Sequence, residues 1–241
     1  MKIALIGYGK MGHAIEAVAL HRGHEIVCIV EPNPAVSGGT AGTEVRSISD
    51  PLFREAEVAI EFTTPATAKN NILAAWEQGV PVVSGTTGWG VEPLKTGLDK
   101  QTLVWSSNYS IGVNILFAVN KRLAELMQPY DYTPSITEIH HIHKLDKPSG
   151  TAKTLSEQIA DAARAKTTTL QEESIAITSV REGEEPGRHI VKWESEADSI
   201  ELIHQAKSRE GFALGAVLAA EWVVKNHITG FHTMDEVLNI H

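Results

Sequence analysis

Apolar and polar positions alternate along this chain with two different periods, and the change from one to the other divides it. In the first half short apolar runs alternate with stretches of helical spacing. Lys2–Ile6, Glu25–Val30, Val58–Phe62, Val80–Val83 and Leu103–Trp105 read as buried strands. Between them, Ile15, Val18, Ala19 and Leu20 recur at helical spacing, a helix opens at Thr63-Thr64-Pro65 and runs to Trp76, and another runs from Ile111 to about Met127. Strand–helix alternation of this kind predicts a parallel, doubly wound α/β sheet. Pro34 to Asp50, rich in Gly, Ser and Thr, reads as a long loop or shortened crossover. Beyond Tyr130 extended runs dominate: Ser135–His143, Ser174–Val180, His189–Glu194 and Ser199–Ala206, with one helix at Thr151–Ala165. Arg181–Gly187 has the composition of a hairpin loop. The pattern predicts an α+β second domain with an open, mixed sheet. One helix is little cover for it, so self-association is expected. A last amphipathic helix, from about Glu210 to Lys225, and a short one at Thr233–Leu238 are expected to return to the first domain. The expected division is 1–109 with 209–241, and 110–208.

Chemistry enters first at the end of the first strand. Gly7-Tyr8-Gly9-Lys10-Met11-Gly12 lies between strand and helix, the context that a dinucleotide fingerprint requires. Gly7 would permit the tight turn, Gly9 the approach of a pyrophosphate, and Gly12 close helix–strand packing. Glu31, at the end of the second strand, stands where a ribose-binding carboxylate belongs in a Rossmann-type domain. Pro32-Asn33-Pro34 supplies no arginine to offset its repulsion of an extra phosphate, so NADH is expected to be preferred, with NADPH possible.

A second centre lies at Ile139–Ala152, which packs His140, His141, His143 and Lys144 ahead of Pro148-Ser149-Gly150-Thr151. Three imidazoles within four positions differ from a lone, structurally satisfied histidine. Ser149 or Thr151 could cap the following helix, whose first amides attract a carboxylate or phosphate. Zinc is disfavoured, since the histidines have no Cys partner and no HExxH spacing, and no metal is expected.

Bulk properties narrow the field. At 241 residues, 42% hydrophobic and 21% charged, the chain is ordinary for a globular protein. Its net charge of −9 argues against nucleic acid, and no apolar run is long enough to span a membrane. The single cysteine, Cys28, lies in an apolar strand; with no room for a signal peptide ahead of Lys2, this suits a cytoplasmic protein.

Together these residues resemble the 4-hydroxy-tetrahydrodipicolinate reductase (dihydrodipicolinate reductase) family. The likeness covers nearly the whole length and rests on Gly7–Gly12, Glu61-Phe62-Thr63, Gly85-Thr86-Thr87-Gly88, Ser107–Asn114 and above all Glu138–Ala152. It implies a nicotinamide-dependent reduction of a small dianionic heterocycle in diaminopimelate and lysine biosynthesis, usually by a homotetramer built through the second domain's sheet. By residue, the resemblance assigns the cofactor to Gly7, Tyr8, Gly9, Lys10, Met11, Gly12, Glu31, Gly85, Thr86, Thr87, Ser106, Ser107, Asn108 and Tyr109. It assigns His140 and Lys144 as catalytic acids, and His141, Gly150 and Thr151 to the substrate carboxylates. Which of His140 and Lys144 delivers the proton stays open. Lys147, Thr64 and Arg188-His189 depart from the family's usual residues. A homoserine- or aspartate-type dehydrogenase would share the glycine turn but not the His140–Thr151 stretch, and an NADH-sensing protein would not need His140 and Lys144.

Overall fold

A computed structural model of the chain describes residues 1–31, 41–98, 100–165 and 175–240. They divide into two compact units, Met1–Ser110 with Glu210–His241, and Ile111–Arg209.

In chain order the first unit contains β1 (Lys2–Ile6), α1 (Lys10–His21), β2 (Glu25–Val30), β3 (Thr43–Val45), β4 (Val58–Glu61), α2 (Ala68–Glu77), β5 (Val82–Ser84) and β6 (Thr102–Trp105). The second follows with α3 (Ile111–Met127), β7 (Thr133–His140), α4 (Gly150–Ala165), β8 (Ala176–Arg181), β9 (Arg188–Glu194) and β10 (Ser199–Gln205). The chain then returns to the first unit with α5 (Glu210–Asn226), β11 (Gly230–His232) and α6 (Met234–Leu238).

All pairs in the seven-stranded sheet of the first unit are parallel, in the order β11-β6-β5-β4-β1-β2-β3. Helices α1 and α5 cover one face and α2 the other, so the sheet is doubly wound. Strands buried on both faces carry continuous apolar runs, and β1 and β4 are accordingly almost wholly buried. Gly215 lets α5 pass against the main chain at Tyr109, where a Cβ would stand 1.7 Å from the carbonyl oxygen. The strand order reverses direction between β1 and β4, and the glycine turn follows β1 at that switch point. Two strands have no counterpart in the sequence pattern: β3, inside the segment that reads as a loop, and β11, both only three residues long.

The second unit has a four-stranded mixed sheet in the order β10-β9-β7-β8. β7 runs antiparallel to β9 and parallel to β8. The 181–187 segment is therefore no hairpin loop, because β8 and β9 lie on opposite sides of β7. Pro134, Ile136, Glu138 and His140 alternate as the buried face of β7. Helices α3 and α4 pack on the sheet, α4 against β7 and β9. Ser135–His143 reads as one extended run, but β7 ends at His140, and Lys144 N–H donates to the His141 carbonyl in a turn beyond it.

Candidate active site

In the first unit the predicted nucleotide-binding residues all follow the carboxyl ends of parallel strands: Gly7–Gly12 after β1, Glu31 after β2, Gly85–Thr87 after β5 and Ser106–Tyr109 after β6. That edge is where open α/β sheets take ligands. Gly7 adopts φ +90°, and a Cβ there would stand 2.2 Å from the Phe62 carbonyl oxygen. A Cβ on Gly12 would come within 2.5 Å of the Gly7 carbonyl oxygen, whereas one on Gly9 would meet nothing within 4 Å. The turn is thus built from inside at Gly7 and Gly12 and left open outside at Gly9. Glu31 leans back onto this turn, accepting the Tyr8 N–H at 3.0 Å. Lys10, Met11 and Gly12 form the first turn of α1, with Lys10 exposed. An open glycine, an unencumbered helix start and an acidic group beside them fit a dinucleotide.

Three of the predicted side chains are structural. Tyr8 is buried with its hydroxyl on Glu16, Thr86 donates to Glu61 at 2.9 Å, and the Tyr109 hydroxyl lies 3.0 and 2.9 Å from the Ser84 and Val104 carbonyl oxygens. Burial, and then Glu61, hold the Tyr109 phenol protonated far above its usual range. Thr87 and Ser107 are exposed, and Ser106 with Asn108 closes a tight turn, Ser106 Oγ–H donating to the Asn108 carbonyl at 2.8 Å. Glu61, fully buried, organises this edge by also accepting Ser84 Oγ–H at 2.5 Å and Thr63 Oγ–H. Arg46, which the sequence pattern did not single out, reaches from the end of β3 to donate to the Glu31 carbonyl at 2.8 Å.

In the second unit the histidine-rich stretch begins on β7 and turns over toward α4. His140 Nδ1 contacts the Glu138 carboxylate, and Arg181 Nη2 lies 2.9 Å from that carboxylate's other oxygen. Burial pushes Glu138 up, but Arg181, Ser179 and His140 together hold it below the usual carboxylate value. Burial lowers His140 below the usual imidazole value, outweighing Glu138, with Lys144 and Arg181 adding to the lowering. Lys144 Nζ lies 2.8 Å from Asp146. His189 on β9 stacks edge-on against His140 at a centroid distance of 5.0 Å, and burial, then His140, drives its pKa down to about 3.

Ser149, rather than Thr151, caps α4: its Oγ accepts the Ala152 N–H at 3.2 Å and shares a hydrogen bond of 3.1 Å with His189 Nε2. Gly150 and Thr151 form the first turn of that helix. The ring of His141, half-buried, lies 6.1 Å from that of His143, and its buried Nδ1 has no partner among the described residues. Glu138, His140 and His189 bring potential ligand atoms within 4.8 Å of one another, a trio their spacing does not reveal. Arg181 already supplies the cation beside that carboxylate. Ser149, one of the two expected caps, therefore belongs to the site, and so do Glu138, Arg181 and His189, which carried no expected role. Of these only the i, i+2 spacing of Glu138 and His140 on a strand carried a signal.

A doubly wound parallel sheet with an open glycine turn, in one chain with a unit that gathers imidazoles, a lysine and a helix start, defines a pyridine-nucleotide-dependent oxidoreductase. The comparisons with known proteins narrow this. The family model "Dihydrodipicolinate reductase, N-terminus" matches residues 1–109 and "Dihydrodipicolinate reductase, C-terminus" matches 112–238. The chain is 42% identical to a 4-hydroxy-tetrahydrodipicolinate reductase of Christiangramia forsetii, over 99% of this chain and 98% of that one. It is 34% identical to one of Archaeoglobus fulgidus, over 99% and 100%. A dipicolinate-bound dihydrodipicolinate reductase from a Paenisporosarcina species shares the fold, with a TM-score of 0.77, 22% identity and coverage of 100% and 99%. The chain belongs to the dihydrodipicolinate reductase family.

Proposed function

We propose that the protein reduces 4-hydroxy-tetrahydrodipicolinate to tetrahydrodipicolinate with a reduced nicotinamide nucleotide, in the cytoplasmic synthesis of diaminopimelate and lysine. The observation that carries this reading is the joint presence of Glu138-bound His140, Lys144 and the α4 start in a chain that matches the family along its whole length. The first unit takes the nucleotide and the second the substrate.

When bound, the nucleotide supplies a hydride. The glycine turn and the start of α1 offer amides to its pyrophosphate, and Glu31 accepts from its ribose hydroxyls. The main chain of Gly85–Thr87 and Ser106–Tyr109 borders the same edge. His141 and the amides of Gly150 and Thr151 hold the substrate's carboxylates, the helix start favouring negative charge. Loss of the substrate's 4-hydroxyl as water leaves a conjugated imine, and hydride addition to that gives an enamine carbon that must take a proton. Lys144 delivers it, and His140, neutral and oriented by Glu138, relays its replacement; such a positioned acid contributes about 10²–10⁴-fold. NADH is preferred, because Glu31 repels a ribose phosphate; the Arg46 guanidinium, just past β3, is the group through which NADPH is tolerated. Four copies associate through the outer face of the four-stranded sheet. The test is oxidation of NADH supplied with the product of the preceding synthase, repeated with NADPH: turnover with both and a lower KM for NADH is expected, and no substrate-dependent oxidation of either would refute the reading.

A further inference from the structure

We propose that Glu138 and Arg181 act as a positioning couple: Glu138 sets the tautomer of His140, and Arg181 clamps the loop carrying Lys144 to the same carboxylate. The inference deepens, and rests on, the functional reading of His140 and Lys144 above.

Glu138 and His140 are two apart on β7 and so share its buried face, and Arg181 lies opposite His140 in the β7–β8 register. Glu138 is fully buried, and the Arg181 side chain is only 7% exposed. One Glu138 oxygen faces His140 Nδ1 and the other Arg181 Nη2, at 2.9 Å. Three further donors of Arg181 reach main-chain oxygens: Nε on Lys144 at 3.2 Å, Nη2 on Asp146 at 2.5 Å, and Nη1 on Val180 at 2.7 Å. No other side chain offers five donors in a fixed fork, so lysine cannot hold a carboxylate and three carbonyls at once. With Nδ1–H committed to Glu138, neutral His140 presents an Nε2 lone pair that has no hydrogen bond among the described residues. Gly187 borders that nitrogen, where a Cβ would stand 3.1 Å from Nε2. The other groups facing His140 are Lys144 from the loop and His189 from β9, with His204 of β10 beyond His189.

The couple makes a prediction that a merely structural role does not. Removing the negative partner lowers the His140 titration midpoint, and removing the positive one raises it. The experiment is a ¹⁵N NMR titration of imidazole-labelled protein without substrate or nucleotide, with His140→Asn used to assign the signal, and kcat and KM measured in parallel. Glu138→Gln is expected to move the midpoint down and Arg181→Met up, each by about one unit. Both should lower kcat at least about tenfold, as loss of an oriented proton-transfer group does, and leave the nucleotide KM unchanged. Midpoints that stay put or move together overturn the couple. Expected midpoints in a protein whose parent form turns over no substrate overturn the functional reading instead. If Glu138→Gln does not fold, Glu138→Asp decides: it keeps the charge but withdraws it from the ring, so neutral His140 should become a mixture of tautomers with reduced kcat. A single unchanged tautomer with parental kcat overturns the proposal.

Discussion

Burial lowers the His140 pKa more than Glu138 raises it. That direction favours the neutral imidazole and supports the proposal of Lys144, whose Nζ lies 2.8 Å from Asp146, as the proton donor. The same residue-by-residue reading bears on nucleotide choice. Arg46 touches the Glu31 main chain from just past β3, where a guanidinium can face a ribose phosphate. Arg46→Ala should raise KM for NADPH about tenfold, as loss of one charge-assisted contact does, while KM for NADH changes by less than about twofold. Steady-state kinetics with both nucleotides check this. Glu31 is legible in the sequence because strand, glycine turn and acid are close along the chain. Arg46 is not, because it reaches Glu31 only through the pairing of β2 with β3.

At the scale of elements, α4 depends on a hydroxyl and a buried imidazole. Ser149→Ala removes the cap and leaves His189 Nε2 without its partner. The cap alone is worth about 1 kcal/mol. The expected outcome is a denaturation midpoint lowered to match, with a raised substrate KM. His189 adds a pH dependence of definite sign. Its folded-state pKa, about 3, lies below the ordinary 6.5 of the unfolded chain. Above 6.5 both states are neutral and the full stability is present; as pH falls from 6.5 toward 3 the unfolded chain takes up a proton the folded one refuses, and stability is lost. Thermal melts of the parent should decline across that window, and those of His189→Gln should decline less. Long periodic elements such as α3 and α5 are legible in the sequence, and so is the alternation of β7. The three-residue strands β3 and β11 are too short to carry a period. Arg181–Gly187 has turn composition, but composition cannot distinguish a hairpin from a connection that passes across the end of β7.

For the whole molecule the question is what covers the four-stranded sheet. With α3 and α4 on one face, register places Ile139, Val180, Ile190 and Ile203 on the other, and Ile190 pairs directly with Ile203, which is 50% exposed. Apolar cross-strand pairs facing outward suit another copy of the same sheet. Ile190→Glu is expected to shift the proposed tetramer of 26.2-kDa chains to smaller species in sedimentation velocity, and an unchanged mass would exclude this face as the interface. The change of period at about Tyr130 is legible, but it falls inside the second unit, after α3, so it does not itself mark the boundary at Ser110–Ile111. The buried network of Glu138, Arg181 and His189 is not legible, since it joins three strands that only the sheet brings together. No helix among the described residues is long and apolar enough to cross a membrane.

The most direct measurement compares the parent enzyme with Lys144→Ala, recording kcat in NADH oxidation and the Kd for 4-hydroxy-tetrahydrodipicolinate side by side. Loss of the proton donor should lower kcat by about 10²–10⁴-fold while Kd stays within about threefold. Near-parental turnover with substrate bound normally would contradict Lys144 as the acid and, with it, the assignment of the chemistry to the turn after β7.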